Sequence, residues 1–166
     1  MDYDYFMNIA LTQAKEALSA GEFPVGCVVV CDENILATGM RKGTGVDNPN
    51  EIDHAEMVAL KRLSEYGKTF DAKRITVFST LEPCLMCFGA ILLIGAGKIV
   101  YAYEDVMGGG TSCDLTKISP LYRSCNISIV SGVMRQESIR LFKKYFADSS
   151  NNYLNGTLLA KYTLEI

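Results

Sequence analysis

The chain has a single histidine, His54, in 166 residues, so any chemistry that needs an imidazole rests on one position. It also lacks a long apolar run. The longest, residues 85–96, is shorter than the roughly 20 residues a membrane-spanning helix needs and is broken by glycine, so it reads as a buried helix. Positive charge is not in excess: 16 basic against 19 acidic side chains leave a net charge of −3. That balance argues against a large nucleic-acid footprint, which usually shows as a basic domain, but permits a small basic patch assembled by folding. Six cysteines are too few for a disulfide scaffold at this length, and a reducing cytoplasm is the expected compartment. The acidic start, Met1-Asp2-Tyr3-Asp4, is unlike a basic or apolar leader and predicts none. No internal repeat or low-complexity tract is present. Gly108-Gly109-Gly110 lacks the lysine or G-x-G-x-x-G context of a phosphate loop and reads as a flexible turn.

What is present is an ordinary globular balance. Hydrophobic residues make up 49% and charged residues 21%, enough to build a core and inconsistent with a disordered chain. Apolar residues near a 3.6-residue period predict a first helix over 5–20, stopped by Gly21. The β-branched run 25–31, a turn at Asp32-Glu33-Asn34 and residues 35–39 predict a β-hairpin whose first strand is buried on both faces. A glycine- and asparagine-containing loop over 41–53 leads into a helix over 54–66, with Asp53 and Glu56 spaced as a capping box. Further strands are expected at 74–80, 98–103 and 126–130, and further helices at 83–94 and 136–146, with Pro83 at a first helical position. Alternating strands and helices predict an α/β fold, a three-layer α-β-α sandwich around a mixed five-stranded sheet. One domain is expected over 1–166, with 148–166 a C-terminal extension that opens like a linker and ends in an apolar element at 158–164, packed rather than trailing.

His54-Ala55-Glu56 and Pro83-Cys84-Leu85-Met86-Cys87 are the chemical centre of the sequence. Cys84 and Cys87 share one face at the start of a helix, where the helix dipole favours thiolate. With His54 they make three zinc ligands, a set that leaves one coordination position for water. Glu56 is the carboxylate that can move protons, although two residues of helix would point it away from His54. The H-x-E…P-C-x-x-C pattern is the signature of zinc deaminases that act on nucleobases.

Blander readings compete. The C-x-x-C pair can be a redox pair or half of a structural zinc site. A four-thiol site with Cys27 and Cys31 is disfavoured, because four residues of strand separate those side chains by about 13 Å. Cys27, Cys31, Cys113 and Cys125 read as buried small hydrophobes or plain thiols. Glu82 reads as a backbone acceptor beside the site more readily than as a second acid. Asp105 is a candidate substrate contact or a turn-stabilising residue. Arg41 is a candidate substrate contact or, with Lys42, part of a solvated loop.

The segment from Thr80 to Ala90 together with His54-Ala55-Glu56 resembles the cytidine/deoxycytidylate deaminase superfamily. Within it the branch of bacterial tRNA adenosine deaminases and free guanine or cytosine deaminases is most similar, through Phe23-Pro24-Val25-Gly26-Cys27 and on to about Phe146. The resemblance implies one zinc ion on His54, Cys84 and Cys87, a proton shuttle at Glu56, and a homodimer. It also implies replacement of an exocyclic amine by a carbonyl on a small heterocyclic base or nucleoside, or alternatively on adenosine in a tRNA anticodon loop. A zinc-stabilised binding module without activity is the non-enzymatic alternative. Two positions depart from the branch pattern. Arg41 stands where an asparagine usually contacts the base, and the chain ends in an acidic, amide-rich and then apolar tail where tRNA-acting members carry a basic helix.

Overall fold

The computed structural model describes residues 1–45, 49–67 and 69–166; positions 46–48 of the expected 41–53 loop lie outside the described residues. The chain runs α1 (Tyr3–Ser19), β1 (Gly26–Cys31), β2 (Asn34–Met40), α2 (Ala55–Ser64), β3 (Ile75–Leu81), α3 (Leu85–Leu93), β4 (Lys98–Tyr103), α4 (Pro120–Arg123), β5 (Ser128–Val130), α5 (Arg135–Ala147) and α6 (Leu158–Glu165). The five strands form one sheet in the order β2-β1-β3-β4-β5. β1 is antiparallel to both β2 and β3, while β3, β4 and β5 are parallel. The mixed sheet and its α-β-α layering are those expected.

Alternation along β1 explains why every residue of it is buried. Val28 and Val30 pack with Phe6, Met7, Ala10 and Leu11 of α1 on one face. Cys27, Val29 and Cys31 pack on the other face with Ala59, Leu60 and Leu63 of α2 and Phe88 and Ile91 of α3. Two covered faces remove apolar surface from water throughout the strand, which is the main driving force for this layering. The hairpin turns where expected, with Asp32 and Glu33 both at positive φ, 49° and 68°. That is the double left-handed geometry of a two-residue hairpin turn. Gly39 of β2 brings α2 close: a Cβ there would lie 2.2 Å from the Ala55 carbonyl oxygen. Only glycine permits that approach, and it fixes the height of the α2 N-terminus above the sheet.

Several boundaries differ from expectation, each for a local reason. α1 begins at Tyr3 because the Asp2 carboxylate accepts the Tyr5 N–H at 3.1 Å, capping the first turn. The capping box at Asp53 and Glu56 does not form. His54 holds the N-cap position of α2, Asp53 accepts from Asn50 Nδ2 at 2.8 Å, and Glu56 turns into the core. Pro83 precedes α3 by two residues, and Cys84 is its N-cap. α4 and its single turn are too short to register as periodicity, and β5 covers only three residues of the expected 126–130 strand.

The apolar end of the tail is a helix, α6, capped by Thr157 and buried through Leu159, Ala160 and Thr163. Tyr103 Oη lies 2.9 Å from Thr163 Oγ1, and the Tyr103 and Tyr162 rings stack 6.3 Å apart. Tyr162 Oη donates to Glu104 Oε1 at 2.7 Å, and Arg135 Nε donates to Glu104 Oε2 at 2.7 Å. The Arg135 guanidinium, and then the Tyr162 hydroxyl, hold the Glu104 carboxyl down at about 2 from its ordinary 4.5. The folded chain therefore resists protonation here more than the unfolded chain does. Stability from this cluster is complete above about pH 4.5 and is lost as pH falls through about 2. Urea midpoints are expected to decline across that window in the wild type and to decline less steeply in Glu104→Gln. Parallel profiles would contradict the assignment.

Candidate active site

The site forms where the N-termini of α2 and α3 meet. His54 and Cys84 are the N-cap residues of those helices, and neither side chain caps its own helix. Both are therefore available to point past the helix ends, and Cys87 joins them from the first turn of α3. His54 Nδ1 lies 3.5 Å from Cys84 Sγ and 3.5 Å from Cys87 Sγ, and the three ligand atoms all fall within 4.8 Å of one another. In a tetrahedral zinc site with Zn–S of about 2.3 Å and Zn–N of about 2.0–2.1 Å, the S···N edge is about 3.5 Å. The triangle thus has the size, and the two sulfurs and one nitrogen have the chemistry, that zinc requires. Among the described residues no other group of three such side chains is close enough to hold an ion. Cys27 and Cys31 are not part of the triangle but are buried in the core, and Cys113 and Cys125 are half-buried thiols.

The electrostatics suit a cation. The Cys87 thiol hydrogen-bonded to it, with further help from His54, brings the Cys84 thiol down to about 4 against the opposing effect of burial. Its hydrogen bond to Cys84 and its burial push the Cys87 thiol up. The His54 imidazole is pulled up, chiefly by its hydrogen bond to Cys84.

Glu56 is 3% exposed and sits on α2 with its Oε1 accepting from Ser79 Oγ of β3 at 2.8 Å. Burial raises its carboxyl above the ordinary range. Helical periodicity fails to predict its convergence with His54 because His54 is not helical: its φ of −62° and ψ of 153° are extended. The imidazole approaches from outside the helix and the carboxylate from its first turn.

The opposite rim is built by Glu82, Asp105 and the glycine loop. Glu82 accepts from the Asp105 N–H at 3.2 Å, the Thr111 N–H at 3.3 Å and the Thr111 hydroxyl. It is the backbone acceptor that the sequence suggests. Asp105 Oδ1 accepts the Met107 and Gly108 N–H groups, each at 2.9 Å, so its turn-stabilising role is realised while the residue also lines the pocket. The glycine loop is packed, contrary to its reading as a flexible turn. Gly109 pairs with Cys84 as an isolated bridge, and a Cβ on it would meet Glu82 Cδ at 2.5 Å. Glycine lets the loop clamp the start of α3.

Arg41 is 2% exposed, the reverse of a solvated loop residue. Its guanidinium donates to the Asn50 and Asp53 carbonyls at 2.7 and 3.2 Å, to Glu51 at 3.3 Å and to Tyr153 Oη at 3.3 Å. A buried cation needs such partners, and they tie the 41–53 loop to the tail. Tyr153 and Leu154 then line the same pocket as Arg41, His54, Glu56 and Asp105. Sequence reading gave these two residues no role. Their only signal is an aromatic-leucine pair inside an amide-rich stretch.

The family model for the cytidine and deoxycytidylate deaminase zinc-binding region matches residues 1–103. A tRNA-specific adenosine deaminase of Streptococcus pyogenes serotype M18 is 28% identical over 152 residues, covering 92% of this chain and 94% of that protein. A solved structure from work on A-to-I editing by tRNA:A34 deaminases at the wobble position superposes with a TM-score of 0.66 at 27% identity, over 82% of this chain and 98% of that one. Guanine deaminase from Nitrosomonas europaea, at 19% identity and a TM-score of 0.69 over 87% of this chain and 85% of that one, shares the fold.

Proposed function

The chain belongs to the cytidine and deoxycytidylate deaminase zinc-binding family, and on that premise we propose that it is a zinc-dependent hydrolytic deaminase of a nucleobase, nucleoside or similar heterocycle. The observation that carries this reading is the His54-Cys84-Cys87 triangle with the buried Glu56 carboxylate beside it. Zinc held by three protein groups leaves a position open to water and lowers the pKa of that water toward 7. His54, Cys84 and Cys87 would hold the ion on two rigid helix ends, their charge offsetting most of its own. Ser79 fixes Glu56 Oε1, leaving Oε2 to take a proton from water, pass it to a ring nitrogen, and deliver one to the departing amine. Water adds to the amidine carbon, the C–N bond breaks, and ammonia and the carbonyl product leave. A binding module without activity would have no use for a buried carboxylate outside the ligand set.

The preferred substrate is a small heterocycle. The net charge of −3 favours it. Arg41, through the stem of its side chain, and Asp105, through its second carboxylate oxygen, are the proposed substrate-facing residues. The second reading is adenosine in a tRNA anticodon loop, favoured by relatives named as tRNA-specific adenosine deaminases that match over most of both lengths. Ammonia release from a panel of bases, nucleosides, pterins and tRNA separates the two. Turnover of the small compounds with no binding to tRNA at low salt is the expected result. Salt-sensitive tRNA binding with turnover on tRNA alone would replace it with the second reading.

A homodimer is proposed through the exposed apolar face near α3, where Leu85, Leu93 and Leu121 are 64%, 59% and 62% exposed. Beside them Phe88, Leu92, Leu115 and Ile118 line an apolar groove with Leu85, which a second copy could cover. The cytoplasm is the proposed compartment. Among the described residues no helix is long and apolar enough to cross a membrane.

A further inference from the structure

The C-terminal extension does more than pack. It is held at two places and passes over the pocket between them. At the far end α6 is anchored through Thr163 to Tyr103 and through Tyr162 to Glu104. At the near end Tyr153 Oη donates to Glu51 at 2.8 Å, the Arg41 guanidinium lies 5.4 Å from the Tyr153 ring centroid, and the ring packs edge-on against Phe23 at 5.4 Å. Arg41 and Phe23 are themselves pocket residues.

Between these anchors Leu154 lines the pocket with φ at 57°. A leucine in the left-handed region is strained, because its Cβ crowds the backbone, and such a conformation persists only where its surroundings hold it. Glycine would adopt it freely. The bulky side chain is therefore held at the wall against its own backbone preference. The remaining cavity is about 60 Å³, well below the roughly 150 Å³ of an apolar cavity that admits benzene. The pocket opens to solvent on one side, so a single ring can seat its reacting edge in it, whereas the backbone of a base carried on a strand has to pass the Tyr153 and Leu154 wall.

We propose that Tyr153 and Leu154 are specificity-determining residues: the C-terminal extension forms one wall of the substrate pocket and selects free heterocyclic bases over bases carried on a polynucleotide. The proposal rests on the deaminase reading above and specifies its substrate class. Specificity here comes from a steric obstacle to the larger competitor in addition to contacts with the smaller one.

The test compares 2-aminopurine as the free base with 2-aminopurine inside a single-stranded oligonucleotide. Binding is followed by its fluorescence, with ammonia release from the base panel measured on the same preparations. The wild type is expected to prefer the free base by about tenfold or more, and Leu154→Gly and Tyr153→Ala to cut that preference by about fivefold or more. Tyr153→Phe keeps the ring and is expected to retain most of the preference, with circular dichroism confirming that each variant is folded. A preference that moves in a protein releasing no ammonia would keep the wall and overturn the deaminase reading. An unchanged preference in folded variants of a protein that does release ammonia would overturn the wall and keep the reaction. A wild type that binds the oligonucleotide as well as the free base would also overturn the wall.

Discussion

Glu56→Gln is expected to retain zinc and fold normally while kcat falls by about 10²–10⁴, the usual contribution of a positioned proton-transfer group. Glutamine has the shape of glutamate and keeps an oxygen to accept the Ser79 hydroxyl, which lies 2.8 Å from Glu56 Oε1. What it lacks is the ability to take and return a proton. The loss corresponds to roughly 3–5 kcal/mol of transition-state stabilisation. Because the substituted group is buried and its carboxyl is already pushed up by burial, a neutral amide avoids buried charge and costs the fold little. Activity and stability should therefore separate. Ammonia release, zinc content and the melting point measured on one preparation check this, and wild-type turnover in the variant would remove Glu56 from the mechanism.

Cys87→Ala is expected to fail in the opposite way, losing metal first and activity as a consequence. Cys87 is fully buried, and without its sulfur only His54 and Cys84 remain of the triangle. Truncating an ordinary buried side chain of this size costs about 1 kcal/mol. A ligand at a thousand times its Kd contributes about 4 kcal/mol to the folded state, so the lost metal outweighs the lost packing. Chelation of the wild type should lower its melting point nearly as far as the substitution does, since metal binding at such sites is coupled to folding. Unchanged zinc content in Cys87→Ala would remove Cys87 from the ligand set.

The layered fold was readable because its signals are local and repeated. The β-branched run of β1 and the 3.6-residue pattern of α1 each specify a buried face, and the sheet follows from satisfying all of them together. The metal triangle was readable for another reason: three scarce, chemically distinctive side chains occur at spacings that helix ends can bring together. One feature was legible only in part, and two escaped. The convergence of Glu56 with His54 depends on His54 standing outside the helix, a backbone fact that periodicity does not encode. The burial of Arg41 depends on carbonyls at Asn50 and Asp53 and a hydroxyl at Tyr153, the last of them distant in sequence. The wall at Tyr153 and Leu154 depends on where α6 docks, and an amide-rich stretch looks the same whether it trails in water or crosses a pocket.

The packing of the glycine loop is hidden from the sequence for the same reason. Three consecutive glycines suggest freedom, yet Gly109 is glycine because the Glu82 carboxylate and the Asp105 carbonyl leave no room for a side chain. Close approach and flexibility have one sequence signature and opposite mechanical meanings.

The central claim is a zinc ion held by three protein atoms with its fourth position open beside Glu56. Diffraction from crystals of the zinc-loaded protein, recorded on both sides of the zinc absorption edge, tests it most directly. The account predicts one anomalous peak per chain at bonding distance from His54 Nδ1, Cys84 Sγ and Cys87 Sγ, with solvent as the only other ligand and the Glu56 carboxylate within hydrogen-bond reach of that solvent. A fourth protein side chain on the ion, or a peak elsewhere in the chain, would contradict it.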